Sequence, residues 1–170
     1  LVVSGTYDWF PKARDVRRFA REYALAPLQN VRVRCGAGVP ETMRLALGAE
    51  GDDFDAADAI RFGVITDRFS AGHKLKTAAY LMSNSAVLSF ANVLGDFADL
   101  PFARNWIVEV DSVRALGEAI DRIAARPIED LRRELTALKA ALAAEFAWSK
   151  QADVLEGAIA AALQARRTAA

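Results

Sequence analysis

The chain is poor in the residues that most often mark chemistry. It has one cysteine, Cys35, and one histidine, His73, in 170 residues. A single thiol cannot build an internal disulfide framework, and His/Cys metal clusters are excluded by count. A Ser-His-Asp or Cys-His catalytic group inside this chain would have to use His73. Cys35 reads as a small buried residue at a strand end, and a reducing, cytosolic setting is the simpler expectation. No apolar run reaches the roughly 18–20 residues needed to span a bilayer. No stretch reads as a signal peptide. Charge of one sign is also lacking: Lys+Arg and Asp+Glu are both 22, for a net charge of zero. No global field draws the chain to nucleic acid or to an anionic membrane, so anion binding must be local. Neither G-x-G-x-x-G nor G-x-x-x-x-G-K-[ST] occurs, which argues against a dinucleotide fingerprint and a P-loop.

What is present is apolar and regularly patterned. Hydrophobic residues make up 53% of the chain, with alanine in surplus, enough for one domain with a full core. Residues 1–6, 31–34, 60–66, 85–90 and 106–110 read as strands. Helical spacing joins Val16, Phe19, Ala20 and Tyr23, with Pro11 in the first turn. Residues 40–47 predict a short helix, and residues 73–83 a longer one with Leu75, Ala78, Ala79 and Met82 on its apolar face and Asn84 as its cap. Val113, Leu116 and Ile120, then Leu131, Leu135, Leu138 and Leu142, mark two later helices, and residues 150–165 a last one. Strands alternating with helices predict an α/β fold, a Rossmann-like parallel sheet with helices on both faces. Ligands of such sheets bind at the carboxyl ends of the strands, at a switch in strand order. The loops after Thr6, Arg34, Thr66 and Phe90 are therefore where a site is expected.

Three of these loops carry candidate chemistry. Ser4-Gly5-Thr6 combines a glycine, which lets backbone approach a ligand, with hydroxyls that can bond phosphate or ribose; a plain tight turn explains it as well. Cys35-Gly36-Ala37-Gly38 is equally a turn or a weak phosphate signal. The third, IRFGVITDRFSAGHKLKTAAYLMSNSAVLSF, places Arg68, Gly72, His73, Lys74 and Lys76 around a helix start with no acid after Asp67. Cations there oppose the helix dipole by about 0.3–1 kcal/mol each. Such a start either faces open water or expects an anion. Successive helix positions diverge, so only one of Lys74 and Lys76 is expected at a ligand. Trp9 and Trp148 could stack on a base or sugar, or simply pack.

In their order, these pieces resemble the C-terminal, donor-binding domain of group 1 glycosyltransferases of the GT-B class. LVVSGTYDWFPKARDVRRFA resembles the family's opening strand, glycine turn and D-W-x-P-N loop, with Lys12 where asparagine is common. VRVRCGAGVP resembles its second strand and G-x-G-x-P turn, FGVITDRFSAGHKLK its P-x-R-x-G-x-G-x-K-x-K loop, and FAWSKQADVL its closing F-S-W helix start. The resemblance covers nearly the whole chain and implies a single nucleotide-sugar-binding domain, residues 1–170, cut from the C-terminal part of a longer two-domain protein. It implies a nucleotide-diphosphate-sugar donor and no other cofactor. The acceptor, a saccharide or glycolipid, would be held by a separate N-terminal domain. The isolated chain is then expected to bind weakly and not to turn over. The pathway implied is bacterial-type surface polysaccharide or glycolipid synthesis in the cytoplasm, with the full protein peripheral to the membrane and no nucleic-acid partner.

On that resemblance Gly5 and Thr6 approach the diphosphate or sugar. Arg68 and Lys74 neutralise it, Gly72 allows close backbone approach, and His73 lies beside them. No catalytic base can be assigned. Many members carry two acids on this loop and helix where this chain has Ala71 and Ala79; Ser70 replaces a common glycine and Ala86 a common proline. Asp67 or Asp96 could substitute for the acids. Two other readings stand beside this one: a catalytically degenerate domain of the same fold with a scaffolding role, and an unrelated flavodoxin-like binding domain. A receiver-type variant of the latter needs an acidic triplet, and the chain offers only Asp8 and Asp67.

Overall fold

The computed structural model describes residues 1–5, 7–49, 61–69, 74–147, 152 and 155–159. Five strands form one sheet: Val2–Val3 (β1), Arg34–Cys35 (β2), Arg61–Ile65 (β3), Ser85–Ser89 (β4) and Ile107–Glu109 (β5). Every pairing is parallel, and the order is β2-β1-β3-β4-β5. Among the described residues the helices are Phe10–Leu25 (α1), Glu41–Ala46 (α2), Lys74–Met82 (α3), Ala103–Trp106 (α4), Val113–Ala124 (α5) and Ile128–Glu145 (α6), with a 3₁₀ turn at Leu94–Phe97 and further helical residues at 155–159. This is the expected α/β, Rossmann-like parallel sheet. β1 and β2 are shorter than their apolar runs suggested.

The local reasons are ordinary. Pro11 stands in the first turn of α1, where its missing N–H costs nothing. Val16, Phe19, Ala20 and Tyr23 are all buried along that helix. Ser112 caps α5 by accepting from the Ala115 amide at 3.2 Å. Glu129 and Asp130 lie in the first turn of α6, where the dipole favours acids. Asn84 follows α3 at φ 57°, a left-handed position that asparagine tolerates. α1 packs with α2 and α5, whereas α3 packs with α6. Register keeps Val3 opposite both Cys35 and Val64, all buried on one face.

One expectation about α3 is corrected. Leu75, Ala79 and Met82 do not face the core; Leu75 is 79% exposed and Met82 about half exposed. The inward positions are Thr77, Tyr80 and Leu81. Tyr80 sets this rotation. Its ring lies so close over Gly63 of β3 that a Cβ there would sit 2.2 Å from the ring. Its hydroxyl then reaches β1. A tyrosine that both packs and bonds outweighs the apolar stripe that periodicity alone selects.

Candidate functional site

The strand order reverses between β1 and β3, so the crevice beyond their carboxyl ends is the switch point. Gly5 leaves β1 at φ +137°, a backbone region that side-chain-bearing residues rarely adopt. Behind it, the Ser4 amide donates to the Tyr80 hydroxyl at 3.1 Å, and the Ser4 and Tyr80 hydroxyls lie 2.8 Å apart. Tyr7, also buried, donates to the Ser4 carbonyl at 3.2 Å. Burial raises both tyrosines above their ordinary range, so they stay neutral hydroxyls. Together they hold the end of β1 in place.

Lys76 reaches over this turn from α3. A Cβ added to Gly5 would sit 3.0 Å from its ammonium. Lys76 Nζ is 3.8 Å from Asp67 Oδ2 and 5.8 Å from the centre of the Tyr7 ring. Asp67 is fully buried, and the Lys76 side chain is only 18% exposed. Desolvation lowers the lysine's pKa; Asp67 opposes that shift, and the nearby Lys12 adds to it. A half-desolvated ammonium at a loose distance from its carboxylate is suited to exchange for an incoming anion. The glycine beneath leaves room for one.

Arg68, beyond the carboxyl end of β3, points toward α1. Its amide donates to Asp15 Oδ2 at 2.9 Å, and its guanidinium to Glu22 at 3.1 Å and the Asp111 carbonyl at 3.1 Å. The guanidinium also lies 4.6 Å from the centre of the Phe90 ring. It joins α1 to the loops after β3, β4 and β5. Of the expected ligand-binding residues, Gly5 lies in the crevice and Arg68 is committed to Glu22 and Asp111. Lys74 opens α3. Thr6, Gly72 and His73 lie outside the described residues, as do Ala71, Ser70 and Trp148.

Comparison with protein-family models, with curated proteins and with solved structures finds no match.

Lys76, Tyr80 and Asp67 are what the sequence reading passed over or ranked low. A usable signal was present: Lys76 and Tyr80 are one turn apart on one side of a helix, and Gly63 breaks an otherwise apolar strand. Ala79, one of the two alanines that the resemblance places at acid positions, is exposed and lines a separate cavity of about 340 Å³. That cavity is bordered by Arg32, Arg34 and Arg61. The second glycine turn packs on the first, since a Cβ on Gly36 would lie 3.3 Å from that of Ser4. Cys35 is buried, and burial raises its thiol pKa, which disfavours the thiolate. Trp9 sits edge-on to Phe69 at 5.1 Å.

Proposed function

We propose that the chain is the donor domain of a glycosyltransferase and binds a nucleotide-diphosphate sugar at the β1–β3 switch point. The observation that carries this reading is the Lys76 ammonium held above Gly5 at the carboxyl end of a parallel sheet. It fits the motif resemblance, which names Arg68 and Lys74, and adds Lys76 as a cation at the crevice. Lys76 would neutralise the diphosphate both on binding and as it departs, an electrostatic form of catalysis. The bond broken is the one between the sugar's anomeric carbon and the diphosphate oxygen. The acceptor hydroxyl would attack from the separate N-terminal domain.

Calorimetric titration with UDP- and GDP-sugars tests the reading. Saturable binding is expected, with one nucleotide base preferred. Lys76→Ala should weaken it by about 1.5–3 kcal/mol, the usual effect of removing a charge-assisted contact. Absence of saturable binding to any nucleotide sugar would leave the scaffolding alternative.

The strand order β2-β1-β3-β4-β5 is also that of flavodoxin-like domains. This supports, as a second reading, a flavodoxin-like domain binding a mononucleotide at the same switch point. Parallel titration with flavin mononucleotide separates the two, because such a domain would prefer it to any nucleotide sugar.

A further inference from the structure

The outward side of α1 carries charge of one sign. Phe10, Arg14, Arg17, Arg18, Arg21 and Leu25 recur at helical spacing and are all exposed, opposite the buried Val16, Phe19, Ala20 and Tyr23. Apolar groups close both ends of the stripe: Phe10 is 70% exposed and Leu25 87%. Trp9, immediately before the helix, is 55% exposed. Arg14 pairs with the buried Asp15, and Arg18 with Glu22, which also serves Arg68. Among the described residues Arg17 and Arg21 have no acidic partner. No acid lies in the first turn, where Lys12 opposes the helix dipole.

The other long helices carry at least as many acids as cations. On α6, Arg132 pairs with Glu129 at 3.0 Å and Arg133 with Asp130 at 2.8 Å. On α5, Arg114 pairs with Glu118 at 3.0 Å. In a chain of zero net charge, the surplus on α1 is a local concentration of positive charge. Its complement is an extended anionic surface. The exposed tryptophan, phenylalanine and leucine select among such surfaces. An anionic bilayer offers phosphates for guanidinium groups and an acyl boundary for aromatic and aliphatic ends. Nucleic acid offers no apolar layer to the ends of a convex helix.

We propose that the outward face of α1 docks on an anionic lipid surface. Trp9, Phe10 and Leu25 enter the acyl boundary while the four arginines lie among the headgroup phosphates. The helix then lies in the membrane plane over about 24 Å, from 16 residues at the usual rise. This docking is independent of what the switch point binds.

Vesicle sedimentation tests it. The chain should bind phosphatidylcholine vesicles containing phosphatidylserine and not phosphatidylcholine alone, and added salt should release it. The Arg17→Glu/Arg21→Glu double variant should lower binding by about tenfold or more. Trp9→Ala/Phe10→Ala should weaken binding yet keep its salt dependence. Far-UV circular dichroism should show both variants folded, because Phe10, Arg17 and Arg21 are exposed and Trp9 gives up only its edge-on contact with Phe69. Nucleotide-sugar titration should be the same in the charge-reversed variant as in the parent. No sedimentation at low salt, equal binding to neutral vesicles, an unchanged double variant, or competition by duplex DNA that strips the chain from vesicles would each overturn the proposal.

Discussion

Two cations flank the carboxyl end of β3, Arg68 from the loop that follows the strand and Lys76 from α3, and they meet different surroundings. On the α1 side, Arg68 finds Glu22, the Asp111 carbonyl and the face of Phe90, and its guanidinium is used in holding three loops to a helix. On the α3 side, Lys76 finds one buried carboxylate at 3.8 Å and a glycine with no side chain. Charge near a strand end is common to both. What separates a latch from a candidate ligand is how fully the neighbouring acceptors already occupy the cation. A planar guanidinium with several fixed donors suits the latch, and a compact ammonium suits exchange.

The strongest way to break the comparison is to remove the space under Lys76. Gly5→Val should abolish nucleotide-sugar binding, because the new Cβ would lie 3.0 Å from the lysine ammonium and 3.8 Å from the Tyr7 ring. The φ of +137° adds backbone strain, in the range of about 1–3 kcal/mol. For a chain of this size the melting temperature should fall by about 2–4 °C for each kcal/mol. Thermal melts and titration read the two effects separately. A folded Gly5→Val protein with parental affinity would remove the crevice as the site.

Arg68→Ala tests the other half. Loss of the Glu22 and Asp111 contacts should destabilise the fold by about 1–2 kcal/mol, below the full value for charge-assisted bonds because both side chains keep solvent contact. Urea melts measure this. Affinity for the nucleotide sugar should stay within about twofold, since the expected loss in stability has no counterpart at the crevice. If affinity instead fell as far as in Lys76→Ala with stability unchanged, Arg68 would have to leave Glu22 for the ligand, and the two cations would be equivalent.

The layered fold was legible because it depends on periodicity. Strand runs, helix faces such as Val16, Phe19, Ala20 and Tyr23, and the cap at Asn84 all emerge from local pattern. The rotation of α3 was not, because it depends on one long-range fit between Tyr80 and Gly63 that no local rule contains. Gly5 was legible as a glycine at a strand end. The partition between Arg68 and Lys76 was not. It depends on Glu22, distant in sequence, arriving beside Arg68 from α1. The same long-range dependence brings Lys76 to the crevice: α3's rotation carries its side chain to Gly5 and Asp67.

The smallest expected effect concerns protons at Lys76. Its pKa is lowered from the ordinary lysine value of 10.5, chiefly by desolvation. An anion binds the protonated form, so affinity should fall as pH rises through the lowered value, by at most about tenfold per pH unit for one linked proton. Stability moves the other way. Between the lowered folded value and 10.5 the unfolded chain holds more protons on this lysine, so its burial penalty is fully present at low pH and is relieved as pH rises through that window. Measurements belong between pH 8.0 and 9.0: the buried amino terminus, lowered from 8.0 to about 6, acts below that window with the same sign, and Cys35, Tyr7 and Tyr80, all raised by burial, act above it with the opposite sign. In that range Lys76→Ala should flatten both trends, and Arg68→Ala should leave both in place. A pH dependence of affinity that survives Lys76→Ala would assign the linked proton to another group and separate the crevice from the ligand's charge.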